Sequence, residues 1–194
     1  MRSEIAQATR WVSADLDAFP DHDGKRYEII DGELYVSKQP SLWHDFAARQ
    51  VWRALQTWSE ETGLGTAFGT AGLVFAEDDD VVPDALWVAA TRLPAIVDHA
   101  GHLRAAPDLV VEVLSPGRGN ERRDREAKLD LYSRRGVQEY WIVDWIGREV
   151  EAYRPRDGKL QRIATLRLGD TLESPLLPGF AAPLTALLAG LPDV

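Results

Sequence analysis

The chain has 194 residues, 45% of them hydrophobic and 27% charged, with seven Trp and five each of Tyr and Phe. This suits one domain with a sizeable core and excludes a disordered chain. Cysteine is absent, which rules out a disulfide framework, a Cys-ligated zinc, an iron–sulfur cluster and a thiol nucleophile. The net charge of −9 opposes long-range attraction to nucleic acid, whose phosphates draw on Lys and Arg. That charge is unevenly spread: seven basic residues stand against four acidic ones from Arg118 to Arg135, a net +3 that leaves −12 for the rest. The first twenty residues hold no apolar run of signal-peptide length, and no segment approaches the roughly 20 apolar residues of a membrane span. A cytoplasmic protein without a membrane partner is expected.

Residues 1–20 read as a peripheral lead-in, with Ser13 as N-cap of a short helical turn that Pro20 ends, and residues 21–24 as a loop. Tyr27–Ile30 and Glu33–Val36 flank Asp31-Gly32, a hairpin signature, because that turn needs positive φ. From Ser41 to Glu61 the residues Trp43, Ala47, Val51, Leu55 and Trp58 recur at helical spacing, after Pro40 and before Gly63. Two strand-like stretches follow, Thr66–Phe75 and Val81–Ala89, around an acidic turn at Glu77–Asp80. Pro107–Leu114 is nearly all apolar, the pattern of a strand covered on both faces. A charged helix is expected over Asn120–Arg135, closed by Gly136, and then a buried strand at Tyr140–Asp144. Strand, helix and strand form a right-handed βαβ candidate with parallel strands. Val150–Arg154 and Leu160–Leu166 read as a C-terminal hairpin turned at Arg156-Asp157-Gly158, and Pro183–Leu188 as a helical turn in a Pro- and Leu-rich tail. No linker or repeat divides the chain.

Glu112 lies at the centre of Val-Val-Glu-Val-Leu. An ionised carboxylate inside an apolar strand costs several kcal/mol unless it is paired, neutralised or metal-bound. Asp84 follows Pro83 at the start of another apolar strand, Ala85–Val88. If the two strands are neighbours, two acids converge on a hard cation with oxygen ligands. Lys128, on the helix after the Glu112 strand, adds a cation that would assist a water attacking a phosphodiester. The plain alternatives are a turn cap for Asp84, a buried ion pair for Glu112 and an i,i+4 pair with Asp124 for Lys128. Glu33, His44 and Asp124 are secondary candidates, Glu33 as a ligand or an exposed hairpin carboxylate and His44 as an orienter of water or phosphate or a side chain that packs and hydrogen-bonds locally. Arg118, Arg122, Arg123 and Arg125 read as a DNA-facing surface or as a solvated helix face. Trp43, Trp52, Trp58, Trp87 and Trp141 read as core, and His99 and His102 as solvated loop residues.

Tyr27–Leu34, His44, Val82-Pro83-Asp84, Pro107–Pro116, Arg123-Asp124 with Lys128 and Tyr132, Gly136–Asp144 and Pro175–Phe180 occur in an order that resembles the Uma-two family, restriction-endonuclease-like proteins of the PD-(D/E)XK superfamily. The likeness covers about residues 24 to 182. It implies an α/β fold, a mixed central sheet flanked by helices, and magnesium- or manganese-dependent hydrolysis of DNA. By position Asp84 matches the superfamily aspartate and Glu112 the second acid. Leu114 stands where the superfamily pattern has Lys, and Lys128 matches the displaced lysine of the Uma-two pattern. The competing class is a catalytically inactive nuclease-fold module that binds nucleic acid or a partner protein, which the missing lysine and the negative charge favour. An open-edged sheet with an apolar tail suggests a homodimer.

Overall fold

The computed structural model describes residues 9–20 and 23–193; residues 1–8 of the lead-in, Asp21 and His22 of the loop, and Val194 lie outside them. Ser13–Ala18 is a short 3-10 helix. Ser13 is its first residue and not its cap, because its N–H and hydroxyl both turn to the Glu77 carbonyl, at 2.7 and 3.3 Å. The hairpin β1 (Lys25–Ile30) and β2 (Glu33–Lys38) turns as expected at Asp31 and Gly32, with φ of 50° and 71°. Helix α1 (Leu42–Thr62) starts where the Ser41 side chain accepts from His44 N–H and ends at Gly63, φ 68°. Ala47, Val51, Leu55 and Trp58 are its buried apolar stripe, but Trp43 is 38% exposed. Steps of four residues drift around a helix of 3.6 residues per turn, so His44 takes the inward position of that first turn.

The stretch Thr66–Phe75 is two strands in different sheets, β3 (Gly65–Phe68) and β4 (Leu73–Ala76). Gly69 and Gly72 fall at the break, where the chain crosses between sheets. Val81–Ala89 likewise divides into β5 (Asp79–Val81) and β6 (Ala85–Ala89), parted at Pro83, which has no N–H to give a ladder. Only Glu77 and Asp78 form the acidic turn. Asp79 is buried because Arg134, Arg135 and the Asp31 N–H all hold its carboxylate.

After α2 (Leu93–Ile96), β7 (Leu109–Val113) is buried along its whole length. The following helix begins earlier than expected, with α3 (Arg118–Arg122), a π-helical stretch Arg123–Lys128 and α4 (Leu129–Arg135). Arg123 and Lys128 keep right-handed helical dihedrals at both junctions, so the three segments run on as one helix. It returns the chain to β8 (Glu139–Asp144), parallel to β7 as expected. The hairpin β9 (Glu149–Arg156) and β10 (Lys159–Arg167) turns at Asp157 and Gly158, φ 51° and 76°. The tail adds the paired strands β11 (Thr171–Glu173) and β12 (Ala181–Pro183), then α5 (Leu184–Leu187).

The main sheet is mixed, in the order β10-β9-β8-β7-β6-β3, and a smaller sheet has the order β2-β1-β5-β4. On one face of the main sheet, Val111, Val113, Trp141 and Val143 pack with the α1 stripe and with Leu172, Phe180 and Leu184 of the tail. On the other, Leu86, Val110, Tyr140 and Ile142 pack with Ile30 and Val81 of the small sheet and with Leu131 and Tyr132 of α4. Each such side chain, fully buried, contributes about 1.5–3 kcal/mol. Among the described residues no helix is long and apolar enough to cross a membrane.

Candidate functional site

β6 and β7 are antiparallel neighbours with Ala85 opposite Val111, so one further step of register sets Asp84 opposite Glu112. Val111 and Val113 belong to the α1 side, and strand alternation therefore turns Glu112 to the other face, under the charged helix. Glu112 is 1% exposed. Its Oε1 accepts from Lys128 Nζ at 2.9 Å and from the Tyr132 hydroxyl at 2.7 Å. Asp84 Oδ2 accepts from the Val113 N–H at 2.8 Å, and Oδ1 from Arg26 at 3.2 Å. His44 Nε2 stands 3.3 Å from the same Oδ2 and donates to the Val113 carbonyl at 2.7 Å. One imidazole thus ties α1 to both acid-bearing strands.

Glu28, which the sequence reading did not single out, completes the cluster. It is fully buried on β1, and its Oε1 accepts from the Val82 N–H at 2.9 Å and lies 2.8 Å from Lys128 Nζ. Oε2 is buried without a hydrogen-bond partner, 3.6 Å from Arg123. A usable signal was present: Tyr-Glu-Ile-Ile places an acid in an apolar run, as around Glu112.

Lys128 is therefore no surface partner of Asp124. Both are wholly buried, the ammonium bridges Glu28 and Glu112, and Asp124 accepts from Arg123 Nε at 2.9 Å. The π-helical stretch accounts for this. Its wider turn lets Arg123, Asp124 and Lys128 all face inward, where a regular helix would swing Arg123 aside.

These charges set each other's protonation. Burial alone would raise Asp84, but the hydrogen bond and charge of His44, with Arg26 and Lys128 behind, hold it well below the usual carboxylate range. Glu28 is also lowered: the charges of Lys128 and Arg123 outweigh its burial. Glu112 moves the other way. Burial pushes it up to about 8, Lys128 opposes this, and Asp84, Asp124 and Glu28 add to it. Lys128 stays charged, because the surrounding acids outweigh its burial.

Of the remaining candidates, Arg123 belongs to the cluster and the others lie outside it. Glu33 is exposed on β2, accepts from Tyr35, and shares a cleft of about 400 Å³ with Arg122 and Arg123. The arginine run is not an open basic face: Arg122 pairs with Glu126, Arg125 with Glu121 and Glu151, and Arg123 is buried. Arg118 is exposed and has no ion pair among the described residues. Among those residues no group of three His, Asp or Glu side chains forms a ready cage for a metal. The two facing carboxylates, Asp84 and Glu112, nevertheless match how magnesium is commonly held, by one or two carboxylates with waters completing the shell. The Glu28 oxygen without a hydrogen-bond partner lies on the Arg123 side of the cluster, 3.6 Å from that guanidinium.

Among solved structures the chain matches one described as a putative nuclease belonging to DUF820 from Anabaena variabilis ATCC 29413, with a TM-score of 0.72 and 18% identity over 93% of this chain and 99% of that one. At that identity the likeness is one of fold. No curated protein matches the chain. The profile of the Uma2 family, described as "Putative restriction endonuclease", matches residues 13–186. Spanning most of the chain, that match makes the protein a member of the Uma2 family.

Proposed function

We propose that this protein is a divalent-metal-dependent endonuclease that hydrolyses phosphodiester bonds in DNA. The observation that carries this is that Asp84, one residue before β6, falls opposite Glu112 of the neighbouring strand β7, whose carboxylate is held by the buried ammonium of Lys128. Membership of a family described as "Putative restriction endonuclease" supports it. Asp84 and Glu112 hold magnesium or manganese in this reading. When bound, such a cation supplies positive charge against the phosphoryl oxygens as water adds to phosphorus and the P–O bond to the leaving oxygen breaks.

The chain's own groups prepare the site. Tyr132 and Lys128 fix Glu112 through one oxygen. The Val113 N–H and His44 fix Asp84. Engaged by Glu28 and Glu112, Lys128 acts first as the permanent positive charge that lets three acids share one interior. We read the enzyme as cytoplasmic and homodimeric, with DNA as its partner. The second reading, an inactive binding module, draws support from the neutralised arginines of the charged helix.

The test is cleavage of plasmid DNA with manganese. Glu112→Ala should abolish cleavage while the fold survives, because Lys128 keeps Glu28 as a partner. Unchanged cleavage by that variant would remove the assignment.

A further inference from the structure

Besides His44, three cations touch the acids of this cluster, and two of them are buried. Lys128 bridges two carboxylates, and Arg123 has Asp124 on both its Nε and a terminal nitrogen. Arg26 differs. One terminal nitrogen, Nη1, reaches Asp84 Oδ1 at 3.2 Å and the Val82 carbonyl at 3.3 Å. Its Nε and other terminal nitrogen have no hydrogen-bond partner among the described residues. Its side chain keeps 20% of its surface exposed, against 5% for Asp84. On its outer side it lines an open cleft of about 480 Å³ together with Lys25, Gln39, Ser41, Leu42 and Asp45. The acid of that cleft, Asp45, is engaged by Arg49, and Lys25 is half-exposed beside Asp23.

Arg26 thus stands with one nitrogen on a carboxylate of the candidate metal site and the rest of its fork toward solvent. A guanidinium matches two oxygens of a phosphate with parallel N–H bonds. A cation at Asp84 competes directly for the oxygen that Arg26 now holds. On the reading that Asp84 is a metal ligand, we propose that Arg26 binds the phosphodiester backbone of the substrate at the cleft of Lys25 and Ser41. In the absence of substrate it serves as the counter-charge of Asp84. The β1–β2 hairpin is then part of the substrate site as well as its wall. Since β1 also carries Glu28, one strand delivers both the fixed partner of Lys128 and the exchangeable partner of Asp84.

Two bindings should respond to Arg26→Ala in opposite directions. Manganese affinity, measured by calorimetry, should equal or exceed that of the parent, because a competitor for Asp84 is gone. Affinity for a short fluorescent DNA duplex, measured with calcium in place of manganese, should fall about tenfold, the size of one charge-assisted contact. The slope of log affinity against log salt should become shallower by about 0.9, one phosphate contact. Arg26→Lys should keep the parent's salt slope, which ties the effect to charge and not to packing. A manganese affinity that falls in a folded Arg26→Ala protein would mark Arg26 as structural support for Asp84 and overturn the proposal. So would duplex binding with the parent's affinity and slope. If the parent itself binds no manganese, the metal-site reading fails, and this one with it. Manganese binding by the parent with an unchanged salt slope in Arg26→Ala removes this proposal alone.

Discussion

Replacing Lys128 by Met keeps the volume of a wholly buried side chain and removes its charge. The ammonium lies 2.8 Å from Glu28 and 2.9 Å from Glu112. At an effective dielectric near 20, the contact with ionised Glu28 has a gross attraction of about 6 kcal/mol, and Glu112, raised to about 8, adds a full charge only above that pH. Desolvation offsets most of that, and removing one partner of a buried ionic group costs about 3–5 kcal/mol, because the others stay buried and uncompensated. Arg123 remains near Glu28 and the Tyr132 hydroxyl remains on Glu112, which places the expected loss at the lower end, about 3 kcal/mol. For a chain of this size that lowers the midpoint of thermal unfolding by about 6–12 °C. Urea titrations followed by tryptophan fluorescence read the loss directly. Manganese should then restore more stability to Lys128→Met than it adds to the parent, since a divalent cation replaces the missing charge and binds the native state only. A loss below about 1 kcal/mol, or equal stabilisation of both proteins by manganese, would refute this picture of the cluster.

The raised Glu112 gives a pH dependence of definite sign. Its folded value of about 8 exceeds the ordinary carboxylate value, so its contribution is complete below about pH 4.5 and is lost as pH rises toward 8. Without metal, stability should therefore decline over that window by at most about 1.4 kcal/mol per pH unit. Urea midpoints at several pH values should decline more steeply in the parent than in Glu112→Gln, in which the raised Asp124 and His44 still contribute a slope of the same sign; parallel profiles would contradict it. On the edge strand β3, a Cβ at Gly65 would meet the Trp87 ring at 2.3 Å and the Val88 carbonyl at 2.4 Å. Gly65→Ala should cost about 1–3 kcal/mol in the same assay, the usual size of overpacking, and a neutral result would mean that β3 shifts freely. Tyr132→Phe removes one hydrogen bond to Glu112 and should cost about 1 kcal/mol.

Elements whose signals are local were legible in the sequence. Both hairpins followed from Asp-Gly pairs at positive φ, α1 from its apolar stripe and Gly63, and the β7–helix–β8 unit from two apolar runs around a charged helix. The strand breaks were not, because Gly69–Gly72 and Pro83 mark a change of sheet, and sheet partnership is set by packing far along the chain. Trp43 misled because a four-residue step only approximates a helical turn. At the site, Glu112 and Asp84 stood out as acids in apolar surroundings, and their strands are neighbours as required. Glu28 carries the same local signal, but its convergence on this site, and that of Arg26 two residues away on β1, was not legible, because β1 belongs to the smaller sheet. The inward turn of Lys128 depends on a π-helical stretch that no residue pattern announces.

The most direct measurement is a calorimetric titration of manganese into the parent, Asp84→Ala and Glu112→Ala. Saturable binding by the parent that both substitutions abolish is the predicted result, and it would show one site shared by the two acids. Absence of binding to all three, or equal binding to all three, would contradict a metal centre at Asp84 and Glu112.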